Sequence, residues 1–416
     1  ASVGADGVLT WDEPFAGYVS RVEVSRQGHT VQSAWISAEN GSYTLDLRQL
    51  LEERAGDDGI AEGSEYTIDL YYLANEAEFS PNGYRGSYLG AATYKYQAAK
   101  YGLFVGGTEV TSANAADVLG DGTVSYDPNS QTLTLSNAKI TKGEHEDAAI
   151  YYESGDLAIV LKGDNVVTGP DDELNNPTYS YSYGIRVEKQ GNISISGDGT
   201  LTVRGGKAST QYAGAFSYGI KADGNVKISG GTITAEGGVV SAMSSTNSSN
   251  GICANQGIVI SGGVVSATGG AAAAQSYGLY AALGGVTLSG GELTAVGGQV
   301  NEGVVSKSLA ISANTGVTVE PSSGEGISVV AGASEADASA LEGSPFETTA
   351  TITDLVDGQR YVKAAASALP VVQRYDIWIE GIQVTSANAS DVLGDADGGA
   401  TVSYDAQTNT LTLDHA

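Results

Sequence analysis

The sequence holds a single cysteine, Cys253, among 416 residues. No internal disulfide can form, so the fold has to rest on packing and hydrogen bonds. Basic residues are also scarce: 20 Lys and Arg stand against 49 Asp and Glu, a formal net charge of −29. Nucleic acid and anionic membrane both need a basic footprint, so neither is an expected partner. Such a surface suits cations or neutral ligands. No apolar run approaches the ~18 residues of a membrane span. His29, His145 and His415 are too scattered to join Cys253 in a zinc set. There is no Gly-x-Ser-x-Gly, no P-loop and no dinucleotide fingerprint. The chain opens "ASVGADG", without Met or a charged and apolar leader, the appearance of a mature or excised segment.

Glycine, by contrast, is abundant, at 57 residues without the three-residue period of collagen. The first hundred residues read as short alternating runs, among them "YVSRVEVSRQGHTV" and "EYTIDLYYLA", which is a β-sandwich pattern. "LDLRQLLEER" is the exception and suits one or two helical turns. Further on, "YGLFVGGTEVTSANAADVLGDGTVSYDPNSQTLTLSNA" (101–138) returns as "YDIWIEGIQVTSANASDVLGDADGGATVSYDAQTNTLTLDHA" (375–416). Asn114 and Asn388 stand 274 residues apart, and Tyr126 and Tyr404 align after a four-residue insertion. The expected plan is a sandwich over 1–99, a repeat unit over 100–373, and the opening of a second unit over 374–416. Within the unit, residues 101–140 form a cap, about 148–330 the coils and 331–373 a closing segment.

Inside the unit lies a shorter period. "YGIRVEKQGNISISGDGTLTVRGG" (183–206), "YGIKADGNVKISGGTITAEGG" (218–238), "NGICANQGIVISGGVVSATGG" (250–270) and "YGLYAALGGVTLSGGELTAVGG" (277–298) share one template, with looser copies before and after. Three short strands and sharp corners per repeat are the mark of a right-handed parallel β-helix. About six coils at ~4.8 Å would stack to roughly 29 Å. Alternation sends Ile193, Ile195, Val226, Ile228, Ile258, Ile260, Val286 and Leu288 inward, with Leu201, Ile233, Val265 and Leu293 as a second column. Gly230, Gly231, Gly237 and Gly238 are expected to turn corners at positive φ. Tyr183, Tyr218 and Tyr277 share a template position that Asn250 interrupts, and counting places them inside beside Ile185, Ile220 and Leu279.

Chemistry is thinner. Thr202, Thr234, Ser266 and Thr294 form an outward hydroxyl column, which strands show to water in any case. The links between coils all leave at one corner and shorten towards the C-terminal end: "PDDELNNPTYSYS", "KASTQYAGAFS", "VVSAMSSTNSS", "AAAAQS" and "QVN". Insertions confined to one corner often mark the binding face of a solenoid. Tyr179, Tyr181, Tyr212 and Phe216 sit on the long ones, and aromatic rings stack on sugar C–H faces. Calcium is the ion these hard oxygen ligands suit, at "GPDDE" (Asp171, Asp172, Glu173) and "GDADGG" (Asp395, Asp397). Neither stretch completes an EF-hand loop, and solvated turn acids are the competing reading. Enzymes of this architecture that act on pectin need clustered carboxylates plus a base, and no Asp recurs at a matching outward position here.

Two resemblances carry further. "LTWDEP" followed by "GSEYTIDLYYLA" resembles the fibronectin type III signature over about 5–97, which implies Trp11 as its core tryptophan and Tyr66 as its corner tyrosine. The coils, with "GISVVAGASEADASA" and "GQRYVKAAA", resemble the carbohydrate-binding β-helix domains of clostridial cell-surface proteins over about 101–372. That resemblance implies an extracellular bacterial surface protein binding acidic plant polysaccharide, with calcium. The expected function is therefore non-catalytic carbohydrate binding or adhesion. The alternatives are a passive stalk that displays other domains and a polysaccharide lyase or hydrolase.

Overall fold

The computed structural model describes residues 1–4, 6–53, 62–80, 85–141, 147–172, 179–210, 214–242, 247–272, 274–300, 307–368, 374–386, 388–393 and 401–414. The chain is all-β, with 59% of residues in strands and a solenoid of about five turns.

The N-terminal part consists of two antiparallel sheets, of three and four strands. They enclose one core. Trp11 stacks on Tyr43 at 5.1 Å between ring centroids, beside Val22, Ile68, Leu70 and the buried Tyr66. A short helix, Leu47–Glu52, is capped by the Asp46 side chain, which accepts from the Gln49 N–H. Its last residue reaches the solenoid: Glu52 Oε1 accepts from Tyr96 OH at 2.8 Å and from Ser112 Oγ at 2.5 Å.

The solenoid opens on a cap. Lys100–Val105 lies antiparallel to the first coil strand, Ala148–Tyr152. Thr132–Ser136 starts the parallel stack by pairing with Leu157–Lys162. Six parallel strands then form the first ladder: Ala148–Tyr152, Ser180–Val187, Ala215–Ala222, Ser248–Ala254, Gln275–Ala281 and Lys307–Ala313. A second and a third ladder run through Ile193–Gly197 and Thr200–Arg204. In the next two coils these strands merge into single 11-residue strands, Val226–Glu236 and Ile258–Thr268, with a register break at Ser229–Thr232 instead of a gap. The inward columns are as alternation predicts. Val226, Ile228, Ile258 and Ile260 are all fully buried, and each such side chain contributes about 1.5–3 kcal/mol. The antiparallel strand Tyr361–Ala368 closes the far end against Glu292–Val296 and Glu325–Gly332.

The two glycine corners do different things. Gly231, Gly263 and Gly291 hold φ of +82°, +79° and +71°, where a Cβ is strained. Gly230, Gly237 and Gly238, expected at positive φ, are not there. A Cβ on Gly238 would instead meet the carbonyl oxygens of Gly205 and Gly206 and the Ser217 hydroxyl. The reason is a column of buried serines. Ser217 Oγ donates to Gly206 O of the coil before (2.7 Å) and accepts from Gly238 N–H of its own coil (2.9 Å). Ser182, Ser249 and Ser276 repeat both bonds. At the last coil Ser308 donates to Gly298 O and accepts from Arg360 Nε (3.1 Å), so an arginine takes the place of the missing glycine N–H. A second corner carries an amide column: Asp156 accepts from Asn192, Asn192 from Asn225, and Asn225 Oδ1 from Gly257 N–H.

The links between coils are not only loops. Their first described residues form a fourth, short parallel ladder, Ala208–Thr210 with Val240–Ala242, extended by single bridges from Asp172 to Ala208 and from Ala272 to Val300.

Ser217→Ala removes a bond in each direction and strands a buried N–H, so it should cost about 1–3 kcal/mol. Thr234→Ala, on the outward column, should cost less than about 1 kcal/mol. Urea unfolding of both variants checks this. Equal costs would mean that the serine column contributes nothing.

Candidate functional site

The rings singled out in the sequence lie on the outer face of the first ladder, at its N-terminal end. The residues of Ser180–Val187 and Ala215–Ala222 pair as Tyr181 with Phe216, Tyr183 with Tyr218, and Arg186 with Lys221. Ser182 and Ser217 point inward to the corner carbonyls, so the residues on either side of them face out. The aromatic rings therefore stack outside the coil. Tyr181 and Phe216 are 5.4 Å apart at 15° between planes, and Tyr181 and Tyr183 are 6.0 Å apart at 14°. Tyr179 adds a ring 6.0 Å from Tyr181 and 6.3 Å from Phe216, with 49% of its surface exposed. Tyr212 lies outside the described residues.

Tyr183 and Tyr218 are not beside Ile185 and Ile220 in the coil interior. They belong to a separate cluster with Tyr151 and Cys253, while the isoleucines belong to the main core. The alternation slips by one residue at Gly184 and Gly219. A Cβ on Gly184 would point inward, into Val203 Cγ2 and Gly219 O, and Ile185 then also faces in. Counting in twos through the glycine hid this. The serine between two aromatics, in "YSY" and "FSY", was the available signal.

Charge borders the rings. The Arg186 guanidinium sits 4.7 Å from the Tyr183 ring centroid and 5.9 Å from that of Tyr151. Glu188 pairs with Arg186 through Oε1 and accepts from Tyr151 OH at 2.6 Å through Oε2. Lys221 Nζ reaches Asn255 Oδ1 at 2.5 Å and Asp223 at 3.4 Å. Burial holds the Tyr183 and Tyr218 hydroxyls well above the ordinary tyrosine range, and Tyr277, in the same column, is pushed up to about 12 by burial. Burial also raises the Cys253 thiol, with Lys221 pulling the other way. A thiol kept protonated is a poor nucleophile.

A cavity of about 260 Å³ opens at the corner before these strands. Gly205, Gly206, Gly237 and Gly238 line it, together with Arg204 and Lys207. Arg204 Nε pairs with Glu236 Oε2 at 2.8 Å. Asp171, also on the lining, accepts through Oδ1 from the Lys207 N–H at 2.8 Å. Its neighbour Asp172 is spent on the fourth ladder through its backbone. Asp395 and Asp397 lie outside the described residues. Among the described residues no group of three His, Cys, Asp or Glu side chains is placed to hold a metal ion, and no helix is long and apolar enough to cross a membrane.

The arrangement offers one exposed ring, Tyr179, beside the half-buried Tyr181 and Phe216, while Tyr183 and Tyr218 are buried; the groove at the preceding corner is lined mainly by glycine and apolar atoms, together with Asp171, Arg204 and Lys207. Ring faces take up the C–H faces of a ligand, and the charged rim bonds hydroxyl groups.

The tyrosine hydroxyls bring a pH dependence. Their folded pKa lies above the unfolded value of 10, so the unfolded chain releases protons first. Their contribution is complete below pH 10 and falls as pH rises past it. Urea midpoints should hold steady from pH 8 to 9.5 and decline above 10, and Tyr183→Phe should soften the decline. An unchanged slope in that variant would show that Tyr183 ionises freely in the fold. Comparison of the chain with protein-family models, curated proteins and solved structures found no match.

Proposed function

We propose that the protein is a non-catalytic carbohydrate-binding or adhesion module of an extracellular bacterial surface protein, with the ring face of the first ladder as its platform. The observation that carries this reading is the stack of Tyr179, Tyr181 and Phe216, with half of the Tyr179 surface open to solvent. Stacked rings of this kind are costly to leave bare and suit the apolar face of a pyranose. In this reading the N-terminal sheets act as a fibronectin type III-like spacer and the coils wind right-handed, the usual sense for parallel connections. Acidic plant polysaccharide is the proposed ligand class. At a net charge of −29 such a ligand needs a bridging cation, and calcium fills that part.

A passive stalk is the second reading. It is favoured by the ordered ladders and by the Glu52 contact that ties the N-terminal part to the cap. A third, a lyase or hydrolase, rests on architecture alone.

Binding to polygalacturonate and to neutral plant glycans, with calcium and with EDTA, separates these readings. The proposal expects saturable binding, weakened about tenfold in Tyr181→Ala and Phe216→Ala, the size of one lost stacking contact. Absence of binding to every glycan leaves the stalk. New reducing ends or unsaturated products in the incubation would make the protein an enzyme.

A further inference from the structure

Among the described residues, the sequence that repeats 101–138 at 375–416 keeps the hydrogen bonds of the first copy but lacks the strands that cover it. In both, one asparagine organises the turn after the hairpin. Asn114 Oδ1 accepts from Thr111 N–H at 2.7 Å and its amide donates to Glu109 O at 3.0 Å. Asn388 Oδ1 accepts from Thr385 N–H at 2.6 Å and its amide donates to Gln383 O at 3.1 Å. Val118 N–H to Val124 O and Tyr126 N–H to Ala115 O return as Val392 N–H to Val402 O and Tyr404 N–H to Ala389 O. The inner core is equally closed: Val110, Val118 and Val124 match Val384, Val392 and Val402, all at most 4% exposed.

The difference lies on the side where the first coil sits. Thr132–Ser136 has Leu157–Lys162 as a parallel neighbour, and Leu133 and Leu135 are fully buried. Their counterparts Leu411 and Leu413, on Thr410–Asp414, are 37% and 62% exposed. Among the described residues that strand pairs with Thr401–Asp405 alone. Likewise Lys100–Val105 is covered by Ala148–Tyr152, whereas among the described residues Arg374–Ile379 pairs only with Ile382–Thr385, and Trp378 is 62% exposed. A flat edge strand with bare leucines is a template for another strand.

We infer that residues 374–414 form a docking cap for the opening coil of a further solenoid unit of the same kind as 148–332. One strand of that coil would lie parallel to Thr410–Asp414, with aliphatic residues at the positions that Ile159 and Leu161 occupy over Leu133 and Leu135. A second would run antiparallel to Arg374–Ile379. This chain's own opening coil is already held by its first cap, so it cannot serve.

The test repeats residues 139–372 directly after Ala416 and compares this extended chain with the 416-residue chain by amide hydrogen exchange and Trp378 fluorescence. Docking slows exchange of the 411–414 amides about a hundredfold or more and shifts Trp378 emission to the blue. In the extended chain Leu413→Asp abolishes both effects. In the 416-residue chain it leaves the thermal midpoint unchanged. The inference is overturned if the added copy folds while the 411–414 amides exchange as before, or if it stays unfolded beside an intact cap. It is also overturned if the 416-residue chain forms a dimer in which those amides are already protected, since the occupant is then a second copy of the chain.

Discussion

The solenoid depends on a hydroxyl that bonds in two directions. Each buried serine of the column donates to a corner carbonyl of the coil before it and accepts a corner N–H of its own coil. One bond ties coils together, and the other closes a coil on itself. Backbone groups at a tight corner lie outside the strand ladders, and buried without partners they would each cost about 1–3 kcal/mol. The serine satisfies two of them at once. It also sets the corner's composition, because a Cβ at Gly206, Gly238, Gly270 or Gly298 would occupy the space of the neighbouring carbonyls. These glycines are needed for close approach. Those at Gly231 and Gly263 are needed for their backbone angle.

The candidate site follows from the same hydroxyl. With Ser182 and Ser217 committed inward, pleating sends Tyr181, Tyr183, Phe216 and Tyr218 outward, and the parallel register brings them into contact. The glycine after each tyrosine then lets the chain slip by one residue and return Ile185 and Ile220 to the core. The slip allows a strand to present aromatic rings outside at one end and aliphatic side chains inside at the other. Further along, Asn250 stands where a tyrosine is expected, fully buried, and its Oδ1 accepts from Tyr277 N–H. The row of rings is therefore interrupted after Tyr218 and resumes as the Tyr277–Tyr280 pair, 5.2 Å apart, while Tyr179, Tyr181 and Phe216 lie in the early coils, where the inter-coil links are longest.

Much of the fold was legible because repetition multiplies weak signals. A single "VKISGG" is ambiguous, but four aligned copies assign the columns of Val226 and Ile258 to the core without further information. What was not legible depended on phase and on hydrogen bonds that cross between coils. Serine at 182, 217, 249 and 276 reads as an ordinary polar residue until the corner carbonyls above and below it are in view. The tyrosines were misplaced for the same reason, since counting assumes an unbroken pleat. Tyr179, Tyr181 and Phe216 were found from their position on long links, and the structure brings them together. Arg186 and Glu188 were missed as partners of these rings because nothing local in "GIRVEKQG" shows that Tyr151, 37 residues before Glu188, would share its carboxylate.

A stack of parallel strands exposes two open ends, and this chain treats them differently. At the start, the 101–138 cap turns the ladder over by antiparallel pairing and buries Leu133 and Leu135. At the finish, Tyr361–Ala368 crosses antiparallel over the last full coil, Arg360 Nε supplies the donor that a next corner glycine would have given to Ser308 Oγ, and Arg360 Nη2 adds a bond to Gly298 O at 3.3 Å. A guanidinium in that place both satisfies the last serine and brings a charge to the end of the ladder, which discourages another coil from stacking there. The second and third ladders are thus closed at the far end by antiparallel strands of the same unit, and the last strand of the first ladder, Lys307–Ala313, is met by the bond from Ala310 N–H to Gln359 O. With the second and third ladders closed in this way, a longer array is extended by a new cap, and the described residues after Arg374 repeat the hydrogen bonds of one.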